Sequence, residues 1–252
     1  MKMKSLLYLI CMCSSFAYAQ SAAWQVASKE EIAAAYQKSC AWFITTPSYS
    51  FKLKYTSYKD HVSKEQIESS EGYYKRVSNN YVTEAVGLKT VQNDNLKTVI
   101  DTADRIITVM TPGNLKPNIA GAEELEALLA NARSLKKAKL AKGIKYHIDF
   151  SKNDQYDAYE FTISDQNFIE GLTYYYSEQV EKVYSETSPA KSTEIKMKPR
   201  LEINFFNYQV PAKYNEAEFS DQSIIARDKG KVSLTGAYKD YRLMDYRLQT
   251  KK

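Results

Sequence analysis

Two histidines and a scatter of carboxylates are the groups with which this chain could do acid–base or metal chemistry. His61 directly follows Asp60 in a polar segment. His147 has Asp149 two residues on, so in a strand both side chains share one face. A zinc ion needs three or four ligands of suitable type, and neither His–Asp pair has further ligands close in sequence. Both histidines therefore read as solvated or structural, and no metal site is expected. Glu160 and Glu202 fall in strand patterns, on polar faces, and nothing pairs them for glycoside hydrolysis. Cys40 sits in a helical pattern, which marks a buried, inert thiol in preference to a nucleophile. No G-x-S-x-G, H-E-x-x-H, P-loop or G-x-G-x-x-G pattern occurs, and eight glycines leave little material for nucleotide loops. No reaction and no cofactor is indicated; the chain reads as a non-enzyme.

The N-terminus speaks to compartment. "MKMK" is a short basic region, "SLLYLICMCSSF" a mostly apolar stretch, and Ala17-Tyr18-Ala19 a small-x-small cleavage site. Together they predict a signal peptide over residues 1–19, cut before Gln20, and export to a bacterial periplasm. Cys11 and Cys13 follow Ile10 and Met12, where a lipid-anchor signal would place a small residue. After cleavage no segment approaches the ~20 apolar residues of a membrane span. Cys40 is then the sole cysteine, so an internal disulfide is excluded. A net charge of +5 without a dense basic block gives no reason to expect nucleic acid as a partner.

The elements that must position any site begin with a helix. Ser28 to Glu31 fits a capping box, Ile32, Tyr36, Cys40 and Phe43 recur at helical spacing, and Pro47 marks the stop. "SYSFKLKYTSY" (48–58) follows as a strand. Tyr49, Phe51, Leu53 and Tyr55 point one way, Ser50, Lys52, Lys54 and Thr56 the other. From Glu71 the pattern becomes an antiparallel meander: "EGYYKRV", "YVTEAVGLKTV", "LKTVI" and "RIITVM", with Asn- and Asp-rich corners. After the break "TPGNLKPNIAG" a second helix is expected from about 122 to 142. Leu125, Leu128, Leu129, Ala132 and Leu135 form its apolar face, acidic residues open it, lysines close it and Gly143 stops it. Strands return in "KYHIDF", "YEFTI", "FIEGLTYYY", "EKVY", "RLEINFFNY" and "KVSLTG". "SETSPAKSTEIKMKP" reads as a long exposed turn and "DYRLMDYRL" as a final edge strand, with Tyr241 and Leu243 on one side and Arg242 and Met244 on the other.

The expected architecture is a single α+β domain over 20–252, a large curved antiparallel sheet with two main helices. Tyrosine is the compositional anomaly, 21 residues against 9 Phe and 2 Trp, and suits strands whose rings are apolar and whose hydroxyls stay wet. The inward side chains Tyr49, Phe51, Leu53, Tyr55, Leu201, Ile203 and Phe205 either fill a core or line a groove for an apolar ligand. Composition does not choose between the two. A soluble subunit of a cell-envelope assembly, with a filled core and a protein partner, is the alternative; a sugar-stacking tyrosine surface is a third.

The stretches "SYSFKLKYTSY", "GYYKRVSNNYV", "LKTVIDTADRIITVMTP" and "LEINFFNY", in an order that runs from leader and helix through meander and inserted helix to further strands, resemble the LolA/LolB-like periplasmic lipoprotein-carrier family. The resemblance implies an unclosed β-barrel whose hydrophobic mouth is covered by helices. It implies Leu125, Leu128 and Leu129 as lid, an acyl chain or lipoprotein as ligand, and a role in outer-membrane lipoprotein or lipid transport. Such carriers hold the lid with a cavity arginine; Arg76, Arg105 and Arg200 are strand-associated here, and none is matched to that part.

Overall fold

The computed structural model describes residues 23–113, 122–151, 155–185 and 188–247; the expected leader, residues 1–19, lies outside them. The chain is mostly β, with few and short helices. It opens with β1 (Gln25–Val26) and helix α1 (Lys29–Thr45). The next six strands form a meander: β2 (Ser48–Tyr58), β3 (Gln66–Val77), β4 (Asn80–Ala85), β5 (Leu88–Gln92), β6 (Lys97–Asp101) and β7 (Ile106–Met110). Helix α2 (Ala122–Ala130) leads into β8 (Ala132–Leu140), β9 (Gly143–Phe150), β10 (Tyr156–Ile163) and β11 (Ile169–Tyr176). A hairpin of β12 (Gln179–Ser185) and β13 (Ser188–Met197) precedes β14 (Arg200–Gln209). The chain ends with α3 (Glu216–Phe219), the hairpin β15 (Ile225–Asp228) and β16 (Lys231–Leu234), and β17 (Arg242–Asp245).

Thirteen of these strands join one sheet among the described residues, in the order β1-β8-β9-β10-β11-β14-β2-β3-β4-β5-β6-β7-β17. The two ends do not meet, so the sheet is unclosed. It is mixed: every pairing is antiparallel except that of β17 with β7. The final strand thus sits at an edge, as its alternation predicts, but runs parallel to its neighbour.

Helix α1 forms where its signals place it. Ser28 Oγ accepts a hydrogen bond from the Glu31 amide at 3.1 Å, filling an exposed helix donor. At the other end Arg76 donates to the Phe43 carbonyl at 2.9 Å and to that of Ile44 at 3.4 Å, so a sheet residue satisfies the last turn. Between them Ile32, Tyr36 and Phe43 are fully buried on the sheet. Of the strand-associated arginines, Arg76 therefore pins α1. Arg105 lies over the Tyr241 ring, and Arg200 covers Tyr58 while bonding the His61 and Ser63 carbonyls.

Three expectations are corrected. The helix expected over 122–142 ends at Ala130, and its lysine-rich half is β8. Asn131 stops the helix by donating to the Ala127 and Leu128 carbonyls. Beyond it, pairing from Ala132 to Leu140 along β9 outweighs the helical preference of lysine. Lys136 then finds Asp149 at 2.9 Å on one face, and Lys137 finds Glu31 at 2.6 Å on the other. Gly143 is not a helix stop but the turn between β8 and β9. Its φ is +123°, and a Cβ there would fall 2.2 Å from the Ile163 carbonyl oxygen, so only glycine fits. "YVTEAVGLKTV" is two strands, because Val86 and Gly87 both take positive φ, 50° and 76°, in a tight hairpin turn. The third correction falls on the expected long turn: 188–197 is strand β13. The large unclosed sheet is as expected, but the architecture as a whole is mostly β with a mixed sheet, instead of α+β with an antiparallel sheet and two main helices.

The registers assign every side chain to one of two faces. Tyr146, Ile148, Tyr159, Phe161, Leu172, Ile203, Leu53, Phe51 and Tyr49 face α1 and α2 and form one apolar cluster. A second cluster of Val82, Val91, Ile100, Ile107 and Val109 lies on the opposite face, because Lys75, Val82, Val91, Thr98 and Val109 pair in one row. Phe219, Ile224 and Ile225 of the C-terminal segment cover it. No helix among the described residues is long and apolar enough to cross a membrane.

Candidate functional site

The face that carries α1 and α2 is unevenly filled. Beneath α1 the rings interlock. Trp42 meets Phe43, Tyr49 and Phe168 edge-on or tilted at centroid distances of 4.9, 5.1 and 4.6 Å. Phe51 stacks on Tyr74 at 5.3 Å, and Tyr208 on Phe168 at 4.5 Å. Tyr49, Phe51 and Leu53 belong to this packed region, each less than a tenth exposed.

Beneath α2 the packing opens into a cavity of about 590 Å³. Its floor is one row of the sheet, Tyr159, Tyr174 and Leu201, which pair side by side across β10, β11 and β14, with Ile203 of β14 alongside. Tyr36 of α1 and Leu125, Ala127 and Leu128 of α2 supply the walls. Asn131, Gln155, Tyr156 and Tyr176 complete the lining. The size suits a small-ligand pocket, which spans roughly 300–1,000 Å³.

Of the residues expected to line a groove, the structure brings Leu201 and Ile203 into the cavity, and of the three lid leucines Leu125 and Leu128. Leu129 is buried in the core. Tyr55 and Phe205 pack partly buried against the same core. Phe51 also borders a second, more polar cavity of about 680 Å³ with Lys52, Tyr73, Lys75 and Glu218. Tyr36 was placed on the apolar stripe of α1, but Tyr156, Tyr159, Tyr174 and Tyr176 were not singled out from the sequence. The signal for the last three was the tyrosine of "YEFTI" and "FIEGLTYYY", which cross-strand register turns into one patch.

That patch is apolar in its rings and polar in its tips. Tyr174 lies 5.0 Å from Tyr159 and 5.5 Å from Tyr156 by centroid, and Tyr156 lies 5.2 Å from Tyr176. Tyr159 is 2% exposed, and its hydroxyl has no hydrogen-bond partner of sound geometry among the described residues. Burial holds the Tyr159 phenol well above its usual pKa, and the neighbouring Tyr174 adds to the effect. No charged side chain lines this cavity among the described residues.

The residues that could do chemistry are gathered on the other face. His147, Glu160, Thr173, Glu202, Thr56 and Ser69 pair strand to strand in a single row. His147 contacts Glu160 through Nδ1 at 2.9 Å and Asp149 through Nε2 at 2.8 Å. Lys145 reaches the other Glu160 oxygen at 2.6 Å, an ion pair that neutralises it although its geometry is not that of a hydrogen bond. Glu160, distant from His147 in sequence, arrives beside it from the adjacent strand. Burial works against a charged imidazole, but the bonds to Glu160 and Asp149 outweigh it and raise the His147 pKa. Burial likewise opposes ionisation of Glu160, yet His147 and Lys145 hold its pKa below normal. Charges are thus matched into a closed network, a structural use of histidine. His61 caps the Tyr176 carbonyl at 2.8 Å. Cys40 is half-buried, with its pKa raised by burial. Among the described residues no group of three or more His, Cys, Asp or Glu is arranged to hold a metal ion.

No protein-family model matches the sequence, and no curated protein matches it significantly. Solved structures do match at fold level. A LolA superfamily protein from Nitrosomonas europaea aligns over 75% of this chain and 97% of its own, at 10% identity and a TM-score of 0.26. A DUF1329 family protein from Desulfovibrio piger aligns over the same shares, at 10% identity and 0.30. A domain from Vibrio parahaemolyticus, described as an outer membrane lipoprotein-sorting protein, aligns over 77% and 98%, at 8% and 0.28. At that identity and those scores the likeness is one of layout alone.

Proposed function

We propose that the chain is a non-enzymatic apolar-ligand carrier of the periplasm, with α2 as a cover over the cavity it forms with β10, β11 and β14. The ligand is an acyl chain, free or attached to a lipoprotein. The observation that carries the reading is the cavity of about 590 Å³ between α2 and the sheet, beside a region of the same face that is closely packed. Each CH₂ group taken out of water is worth ~0.8 kcal/mol, so a long chain against such an apolar lining is favoured over the same chain in solution. Tyr55 and Phe205 extend the wall, and Tyr49, Phe51, Leu53 and Leu129 support it from the core. The leader-like N-terminus supplies the route to the compartment in which such cargo would move.

Native mass spectrometry of protein purified without detergent tests the reading, followed by solvent extraction of whatever is bound. A mass increment matching one lipid per chain is expected. Bare protein, both as purified and after incubation with a long-chain lipid, would contradict it.

A further inference from the structure

The strap that leads into α1 has little backbone to hold it. Among the described residues β1 pairs with β8 only at Gln25–Lys137 and Val26–Lys136, and the Ala27 amide adds one bond to the Leu135 carbonyl at 3.0 Å. Val26 is 87% exposed, so the strand's own side chains bury little, and a segment with few buried contacts opens easily. Its anchor is Trp24. The indole lies over the His147 ring at a centroid distance of 5.6 Å, tilted by 60°.

The contacts of His147 fix its charge. Nδ1 meets Glu160 at 2.9 Å and Nε2 meets Asp149 at 2.8 Å. An ionised carboxylate only accepts, so both ring nitrogens must donate, and an imidazole with two N–H groups is the cation. Burial opposes that charge and the two bonds outweigh it. The charged and titratable groups around the ring come from four strands: Lys136 of β8, Lys145 and Asp149 of β9, Glu160 of β10, and Tyr175 of β11 with its ring 6.3 Å away. Asp149 also holds Lys136 and Ser134, and Glu160 also holds Lys145. Both carboxylates therefore stay paired whichever state the imidazole takes. What changes is the strap. A cation within about 6 Å of an indole face is attracted to it; a neutral imidazole gives Trp24 no such hold and turns a lone pair towards one of its carboxylates.

We propose that β1 is a proton-controlled latch at one end of the sheet: Trp24 fastens it to β8 through the charged His147 ring and loosens as that ring is neutralised. Because β1 is the terminal strand of the thirteen, its release bares the backbone of β8 as an open edge able to pair with another strand.

The test is a pH titration followed by NMR, with the two imidazoles told apart by His61→Gln. An exposed contact of this kind favours the docked strap about two- to fivefold. By linkage Trp24→Leu should then lower the His147 midpoint by about 0.3–0.7 pH units. Mere loss of cover would raise the midpoint, because burial disfavours the cation, so the direction separates a latch from simple shielding. Protection of the Ala27 amide against hydrogen exchange, corrected for the intrinsic rate, should fall about two- to fivefold as pH passes the midpoint and stay level in His147→Gln. A midpoint that is unchanged or raised in Trp24→Leu would overturn the proposal, as would Ala27 protection that is flat across the titration of His147, or a His147 ring that does not titrate between about pH 5 and 10.

Discussion

Replacing Ile203 by tryptophan separates an open cavity from a filled core. Ile203 lines the cavity floor beside Leu201, with Leu172 and Tyr55 on either side of it in its row. Tryptophan adds about six heavy atoms, and even at a whole water's share of ~30 Å³ for each, an upper bound for bonded ring atoms, the added volume stays below roughly 180 Å³. That is under a third of the space of about 590 Å³ in front of it. The indole should therefore enter without forcing neighbours off their rotamers. Its added apolar surface gains burial at roughly 25 cal/mol per Å², which offsets the ordering of the larger side chain. The net change should lie within about 1 kcal/mol, against 1–3 kcal/mol or more of destabilisation for overpacking a closed core. Urea denaturation gives the stability, and titration with Nile red gives the site. Unchanged stability with dye binding reduced at least tenfold is the expected pair of results. Destabilisation beyond about 3 kcal/mol with dye binding intact would show that no free volume lies there and would refute the reasoning.

Three further perturbations read other parts of the structure. Tyr159→Phe removes a buried hydroxyl whose neighbour is Tyr174 and whose geometry is not that of a well-formed hydrogen bond, so the variant should stay within about 1 kcal/mol of the parent, ~2–4 °C in Tm; a loss of more than about 1 kcal/mol in thermal melts would show the hydroxyl to be firmly bonded. Gly143→Ala should destabilise by about 3 kcal/mol or more, given φ of +123° and the Ile163 carbonyl in the way of a Cβ, and a Tm within a degree or two of the parent would count against the turn. His147, with its pKa raised in the folded state by Glu160 and Asp149, adds stability fully below about pH 6.5 and loses it as pH climbs through the raised value. His147→Gln should flatten the decline of denaturation midpoints on that alkaline side, whereas an unchanged slope would mean that the imidazole is not charged in the fold. The carboxylates Asp149 and Glu160, whose pKa values are lowered, act in the opposite direction, their contribution being lost on acidification from about pH 4 downward.

What the sequence disclosed follows from how local each signal is. The inward side of β2 was legible because period-two alternation is written in adjacent residues: Tyr49, Phe51 and Leu53 are buried and Lys52 is exposed. The start of α1 was legible because a capping serine needs only a partner three residues on. Residues 132–140 misled because lysine and alanine favour helix, and the competing influence, the open edge of β9, is a tertiary one. The site divided along the same line. Leu201 and Ile203 could be placed on the inner face by alternation, and Leu125 and Leu128 by helical spacing. Tyr36, Tyr159 and Tyr174 converge only once β10 has paired with β11 and α1 has settled on them. The His147–Glu160 contact is hidden for that reason too: thirteen residues of chain separate two side chains that a sheet rung makes neighbours.

The central claim is that an oily molecule rests between α2 and the sheet. Photolabelling with a neutral acyl probe carrying a diazirine on its chain, followed by peptide mapping, tests it most directly. Adducts should concentrate on the segments bearing Tyr36, Leu128, Tyr159, Tyr174 and Ile203, and unlabelled monomyristoylglycerol should suppress them. Labelling confined to the exposed side chains of the opposite face, or labelling that no competitor reduces, would contradict it.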